Sequence, residues 1–255
     1  MLSDLLAANI FHFFLIFARV GATFLFLPPF ATSYIPRNVR LIIAMGVTLA
    51  MLPMLSDIMP PVPTQPSILV ALFALEILIG AFIGLMAQVF FSILSLAGTV
   101  IGFASGLMMA QTFDPATSNQ GSLVASYLSE LGVIMIFAMG LHVVFIMTIA
   151  DSYMVFQPGD VPMVDDMAVI MVRALSEAFY VGWQLAAPFV IYSIVFHSML
   201  GILSRLMPTM NVLFVAIPLQ ILLALMMLNL IMPFLLTIAM GRMETGMRMI
   251  FTGNG

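Results

Sequence analysis

Few residues in this chain could do chemistry. His12, His142 and His197 could ligate a metal or move protons. None has a histidine or carboxylate at i+3 or i+4, the spacing that puts two ligands on one helix face, so packing or interface histidines are expected. With no cysteine, thiolate metal sites, disulfides and a Cys nucleophile are excluded. No P-loop, G-x-S-x-G, H-E-x-x-H or dinucleotide fingerprint occurs, so no reaction attaches to a motif. The chain is not expected to be an enzyme or to need a cofactor.

Glu76 carries more meaning, because it lies in a long apolar stretch. An ionisable group inside a membrane helix costs a few kcal/mol and usually faces a cavity or a partner. The alternative is that its helix begins near Ser67 or Ile68, so that the carboxylate reaches the headgroup region. Glu76, Gly80, Gly84 and Gln88 recur every four residues, and Gly98, Gly102 and Gly106 repeat that spacing. Small residues at this interval lie along one helix face and let backbones approach closely. They serve either helix packing within the chain or contact between subunits, which the spacing does not separate.

A third feature is polar. Met108 to Ser122 reads Met-Met-Ala-Gln-Thr-Phe-Asp-Pro-Ala-Thr-Ser-Asn-Gln-Gly-Ser amid hydrophobic sequence. Irregular backbone at membrane depth persists only where protein or water surrounds it, which points to a pore or cavity. As an ordinary loop between two spans, it would turn at Asp114-Pro115. The 25 methionines offer flexible apolar filler or a deformable seal.

The elements that hold these residues are membrane helices. The chain is 63% hydrophobic and 7% charged, with mean hydropathy +1.21, which excludes a soluble core as the default. Residues 41–56, 77–113, 131–150, 178–204 and 206–241 carry no charge, and a spanning helix needs about 20 residues. None alternates apolar and polar positions as a membrane barrel would, so the backbone must satisfy itself as helix. The expected fold is an all-α membrane protein of about six long, partly broken helices arranged as hairpins. These cover about 5–27, 38–56, 68 to beyond 88 with a further apolar region from 94, 123–150, 167–204 and 212–240. Pro60 to Pro66 reads as a stiff extended connector, and Asp151 to Asp166, with four aspartates, as a solvated loop. Residues 1–18 contain no Lys or Arg and read as a retained first helix. All seven basic residues are arginines, too few to set topology, and no run of like charge could bind nucleic acid or form a polybasic lipid patch.

Four stretches in order carry a resemblance. The first runs from Arg19 through Leu27-Pro28-Pro29-Phe30 to Ile35-Pro36-Arg37-Asn38-Val39-Arg40. The second is Glu76-x3-Gly80-x3-Gly84. The third joins Gly98 to Gln120, with Asp114-Pro115, to Gly140-Leu141-His142 and Ser152-Tyr153. The fourth and most specific is Ala187-Pro188, then Gly201-Ile202-Leu203-Ser204-Arg205-Leu206-Met207-Pro208-Thr209-Met210-Asn211-Val212 and Ile217-Pro218-Leu219. Over nearly its whole length the chain resembles the FliR/SctT family of type III secretion export-gate proteins.

That resemblance implies a single copy of this subunit with several copies of FliP and FliQ. Together they would form a helical, pore-forming gate in the bacterial inner membrane, at the flagellar basal body. FlhA, FlhB and a separate ATPase would work beside it, and unfolded proteins would pass through its centre. Residues 1–166 would be the FliP-like part and 167–255 a FliQ-like hairpin with a short polar tail from Arg242. A plug loop would fall at about 106–122, with Gly106, Met108, Met109, Phe113, Asp114, Pro115 and Gln120 as candidate pore residues. Glu76, Gly80, Gly84, Gly98, Gly102, Arg205, Pro208 and Asn211 would be candidates for helix packing or subunit contact. No nucleotide or metal is implied. The rival from another class is a proton-coupled secondary transporter using Glu76 or His142, against which the halves show no matched broken helices or internal repeat.

Overall fold

The structure is a computed structural model that describes residues 2–31, 35–108, 122–160, 162–207 and 212–252. Among these residues there are helices and no strands. They are α1 (Leu2–Phe26), α2 (Pro28–Ala31), α3 (Arg37–Leu55) followed by a 3-10 turn (Ser56–Ile58), α4 (Pro66–Ala104), α5 (Leu123–Ala138), α6 (Leu141–Val155), α7 (Val164–Leu206) and α8 (Val212–Thr252). The all-α membrane fold is thus present. Among the described residues five helices are long and apolar enough to span, or six spans result if α5 and α6, bent by 73°, form one.

The boundaries follow local chemistry. Pro28 and Pro29 bias the chain out of α1, and α3 starts directly after Pro36. The bend between α5 and α6 sits at Gly140, whose φ of +73° is the left-handed region glycine enters without a Cβ penalty. Asp151 lies within α6 rather than in the following loop, while Asp165 and Asp166 occupy the first turn of α7, where carboxylates complement the helix dipole.

Two expectations are corrected in detail. The regions around 68–88 and from 94 onward are one continuous helix, α4, of 39 residues. The stretch from Arg242 is not a tail through Thr252 but the end of α8. Met243 and Met247, four apart, are buried there, and Glu244 pairs with Arg248 at 3.1 Å on an exposed face.

The chain forms two compact units. One comprises Met1–Phe90, Ile136–Leu175 and Met243–Gly255; the other comprises Phe91–Met135 and Ser176–Arg242. The first is cored by Leu15, Ile16, Val20, Ile79, Ile83 and Phe145, and the second by Ile93, Leu94, Ala97, Leu128, Ala186 and Phe189.

Helices α4, α7 and α8, with 39, 43 and 41 residues, are each about 60 Å long at ~1.5 Å per residue. That is about twice the ~30 Å hydrocarbon thickness of a bilayer. Only 17% of the apolar stretch of α7 and 22% of that of α8 is buried within the chain, so lipid or protein outside the chain must cover the rest.

Candidate functional site

The first unit is tied together by a buried polar cluster. Arg19 lies in the C-terminal half of α1, and Glu76 lies in α4. Both are almost wholly buried. Arg19 Nε donates to Glu76 Oε2 at 2.6 Å and Nη2 to Oε1 at 2.9 Å, the two-pronged geometry that suits guanidinium and carboxylate. Nη1 donates to Ser152 Oγ and Nη2 also to the Phe156 carbonyl, each at 3.0 Å. The guanidinium carbon lies 3.8 Å from the Tyr153 ring centroid. One arginine therefore joins α1, α4 and the end of α6.

The glycine faces explain how the helices come close enough. A Cβ on Gly80 would strike the Arg19 carbonyl oxygen, and one on Gly84 would lie 2.7 Å from the Thr23 carbonyl oxygen and 2.8 Å from Phe26 Cβ. Thr23 Oγ1 uses that proximity, lying 2.9 Å from the Arg19 carbonyl and 3.0 Å from that of Gly80, both acceptors. The stripe Glu76-Gly80-Gly84 is thus the seat of α1. Gln88, next in the series, is exposed, as expected when a four-residue interval drifts on a 3.6-residue helix.

The second stripe seats α5. A Cβ on Gly98 would collide with the Ala125 backbone, and one on Gly102 with Ser122 Oγ. Ser122 Oγ donates to the Gly98 carbonyl at 3.1 Å. Just beyond the end of α4, Gly106 has φ +77° and lies beside the Gln220 side chain of α8. Gln220 Nε2 donates to the Ala104 carbonyl at 3.1 Å, and Tyr192 Oη of α7 donates to the Gln220 carbonyl at 3.0 Å. The second unit therefore holds Gly106 and Ser122, which bracket the polar stretch.

Met108 is half-buried, and Arg205 is exposed in the last turn of α7. Met109, Phe113, Asp114, Pro115 and Gln120, with Pro208 and Asn211, lie outside the described residues. His12 Nε2 is 3.1 Å from the Pro60 carbonyl, which joins α1 to the connector. Among the described residues no three His, Cys, Asp or Glu side chains converge to hold a metal.

Sequence reasoning identifies Glu76 but does not pair it with Arg19, nor single out Ser152, Tyr153 or Gln220 for these contacts. The available signal is that opposite charges buried in apolar helices tend to find one another. With both Glu76 oxygens engaged by Arg19, the arrangement is suited to fixing helices rather than to bond-making chemistry.

Comparison with known proteins bears on what such a scaffold belongs to. The model of the bacterial export proteins, family 1, matches residues 10–246. Flagellar biosynthetic protein FliR of Caulobacter vibrioides is 35% identical over 216 residues, 85% of this chain and 86% of the relative. FliR of Aquifex aeolicus is 29% identical over 220 residues, 86% and 84% of the two chains. The Yop proteins translocation protein T of Yersinia pestis is 26% identical over 228 residues, 86% and 85%. A match of this extent, over a chain of long apolar helices, shows that the protein belongs to the FliR/SctT family of bacterial export proteins.

Proposed function

We propose that this chain is a subunit of the flagellar type III protein-export gate in the bacterial inner membrane, at the flagellar basal body. Family membership along residues 10–246 carries the reading. The flagellar assignment is supported by 35% identity to a flagellar relative against 26% to the translocation protein of Yersinia. In this reading one copy assembles with FliP and FliQ, beside FlhA and FlhB, around a path for unfolded proteins. Residues 1–166 take the FliP-like place and 167–255 the FliQ-like place. The large exposed apolar surface of α7 and α8 supports such an assembly, since neighbouring helices would cover what the chain leaves open.

The role asks no reaction of this chain. Its task is to shape the gate, with 106–122 closing the resting pore. Met108, Met109 and Phe113 would supply bulky apolar groups that exclude water and ions. Support comes from the bracketing of this stretch by Gly106, against Gln220, and Ser122, against Gly98. Replacing 109–121 by a glycine-serine linker of the same length keeps Gly106 and Ser122 in place and should make cells leak ions; unchanged conductance with intact assembly would remove the closing role. The carrier alternative is not favoured by the family.

A further inference from the structure

We infer that α1, α3 and α4 form a groove for one anionic phospholipid, with its phosphate on Arg37 and Arg40 and an acyl chain between the helices. The inference goes beyond the export role and does not depend on it. The cavity holds about 710 Å3, within the usual range of ligand sites. Among the described residues its lining is apolar apart from the two arginines, running along α1 from Phe17 to Phe26 and facing Ala44 and Ile77. That stretch of α1 measures about 14 Å at ~1.5 Å per residue, close to one leaflet of a ~30 Å hydrocarbon core.

The polar end is short of an anion. Arg37 and Arg40 occupy the first turn of α3, which contains no acidic residue and receives no side-chain cap from Pro36. Two cations therefore stand at the positive end of a helix dipole whose first turn has no side-chain cap, an arrangement that a negative group would relieve. Arg40 Nε is buried with no hydrogen-bond partner among the described residues. Neither arginine is among the ion pairs of the described residues. A phosphate diester supplies the charge and the paired acceptor oxygens a guanidinium fits. The contiguous apolar groove favours a lipid over a free anion. Folding builds this site from two arginines, without a polybasic run.

The test uses the full chain, stripped of lipid in detergent and titrated with dioleoyl phosphatidylglycerol, dioleoyl phosphatidylcholine or glycerol 3-phosphate under native mass spectrometry. Phosphatidylglycerol should be retained at least tenfold better than phosphatidylcholine, and glycerol 3-phosphate not at all. The double variant Arg37→Gln/Arg40→Gln should abolish the preference. Gly21→Leu should block retention with both arginines intact. The three atoms nearest a Cβ on Gly21 all belong to the Phe17 ring, at 3.8 Å and beyond, an ordinary contact that asks no backbone shift. Gly46→Leu, at a position where a Cβ has no described atom within 4 Å and which is not among the described lining residues, should retain lipid normally. Equal retention of the two lipids, or undiminished retention in either test variant, overturns the inference. So does cross-linking of Gly21→Cys to a neighbouring subunit across this groove in the purified assembly.

Discussion

Replacing Glu76 by Gln tests the buried cluster most sharply, because it changes few atoms and removes one charge. Arg19 and Glu76 are 0% and 1% exposed, so water cannot take over solvation of the cation left behind. Glutamine offers one acceptor where the carboxylate offered two, and its NH2 group would face a guanidinium N–H. Breaking a buried pair from one side costs about 3–5 kcal/mol. For a chain of this size that is a fall of roughly 6–20 °C in the unfolding midpoint. The assay is thermal unfolding of the detergent-solubilised chain followed by size-exclusion chromatography, for wild type, Glu76→Gln, Glu76→Leu, Arg19→Leu and Arg19→Leu/Glu76→Leu. The double variant strands no charge, so it should lose clearly less than the sum of Glu76→Leu and Arg19→Leu. A Glu76→Gln midpoint within about 2 °C of wild type, less than 1 kcal/mol, or strict additivity in the double variant, would refute the assignment of this pair as the tie between α1 and α4.

The glycine faces predict a contrast. Gly80→Ala and Gly98→Ala push a methyl group into the backbone of a facing helix and should each cost about 1–3 kcal/mol, whereas Gly46→Ala and Gly201→Ala, with nothing within 4 Å, should be neutral or gain about 0.5–1 kcal/mol. The same unfolding assay reads all four, and equal effects across the set would contradict close packing. Gln220→Leu removes the donor to the Ala104 carbonyl and should lower stability by about 1–3 kcal/mol. If Gln220 also steadies the pore-closing stretch, that variant should raise ion leak in cells; wild-type leak would confine it to a structural part.

Much of the fold is legible in the sequence because hydrophobic solvation sets it. Long uncharged stretches mark the helices, and the Pro60–Pro66 connector is announced by its prolines. The junction near 88–94 is harder to read, since Gln88 and the serines that follow are polar, yet the helix continues with Gln88 exposed and Ser95 Oγ donating to the Ser92 carbonyl. The end of α8 is hidden by its charges, although Met243 and Met247 keep the helical interval. At the site, spacing finds the glycine stripes but does not say which helix they face. Arg19 is separated from Glu76 by 57 residues and from Ser152 by 133, so only the folded structure shows that they share one cluster.

The long helices also bear on the central proposal. Their exposed apolar faces need lipid or neighbours, and the export-gate reading supplies neighbours. Native mass spectrometry of the tagged chain, gently extracted from its own host with all co-purifying subunits identified and counted, tests this most directly. A large complex with one copy of this chain among several FliP-like and FliQ-like chains is the expected result. A lone monomer or homodimer, with no such chains attached under conditions that preserve membrane complexes, would contradict it.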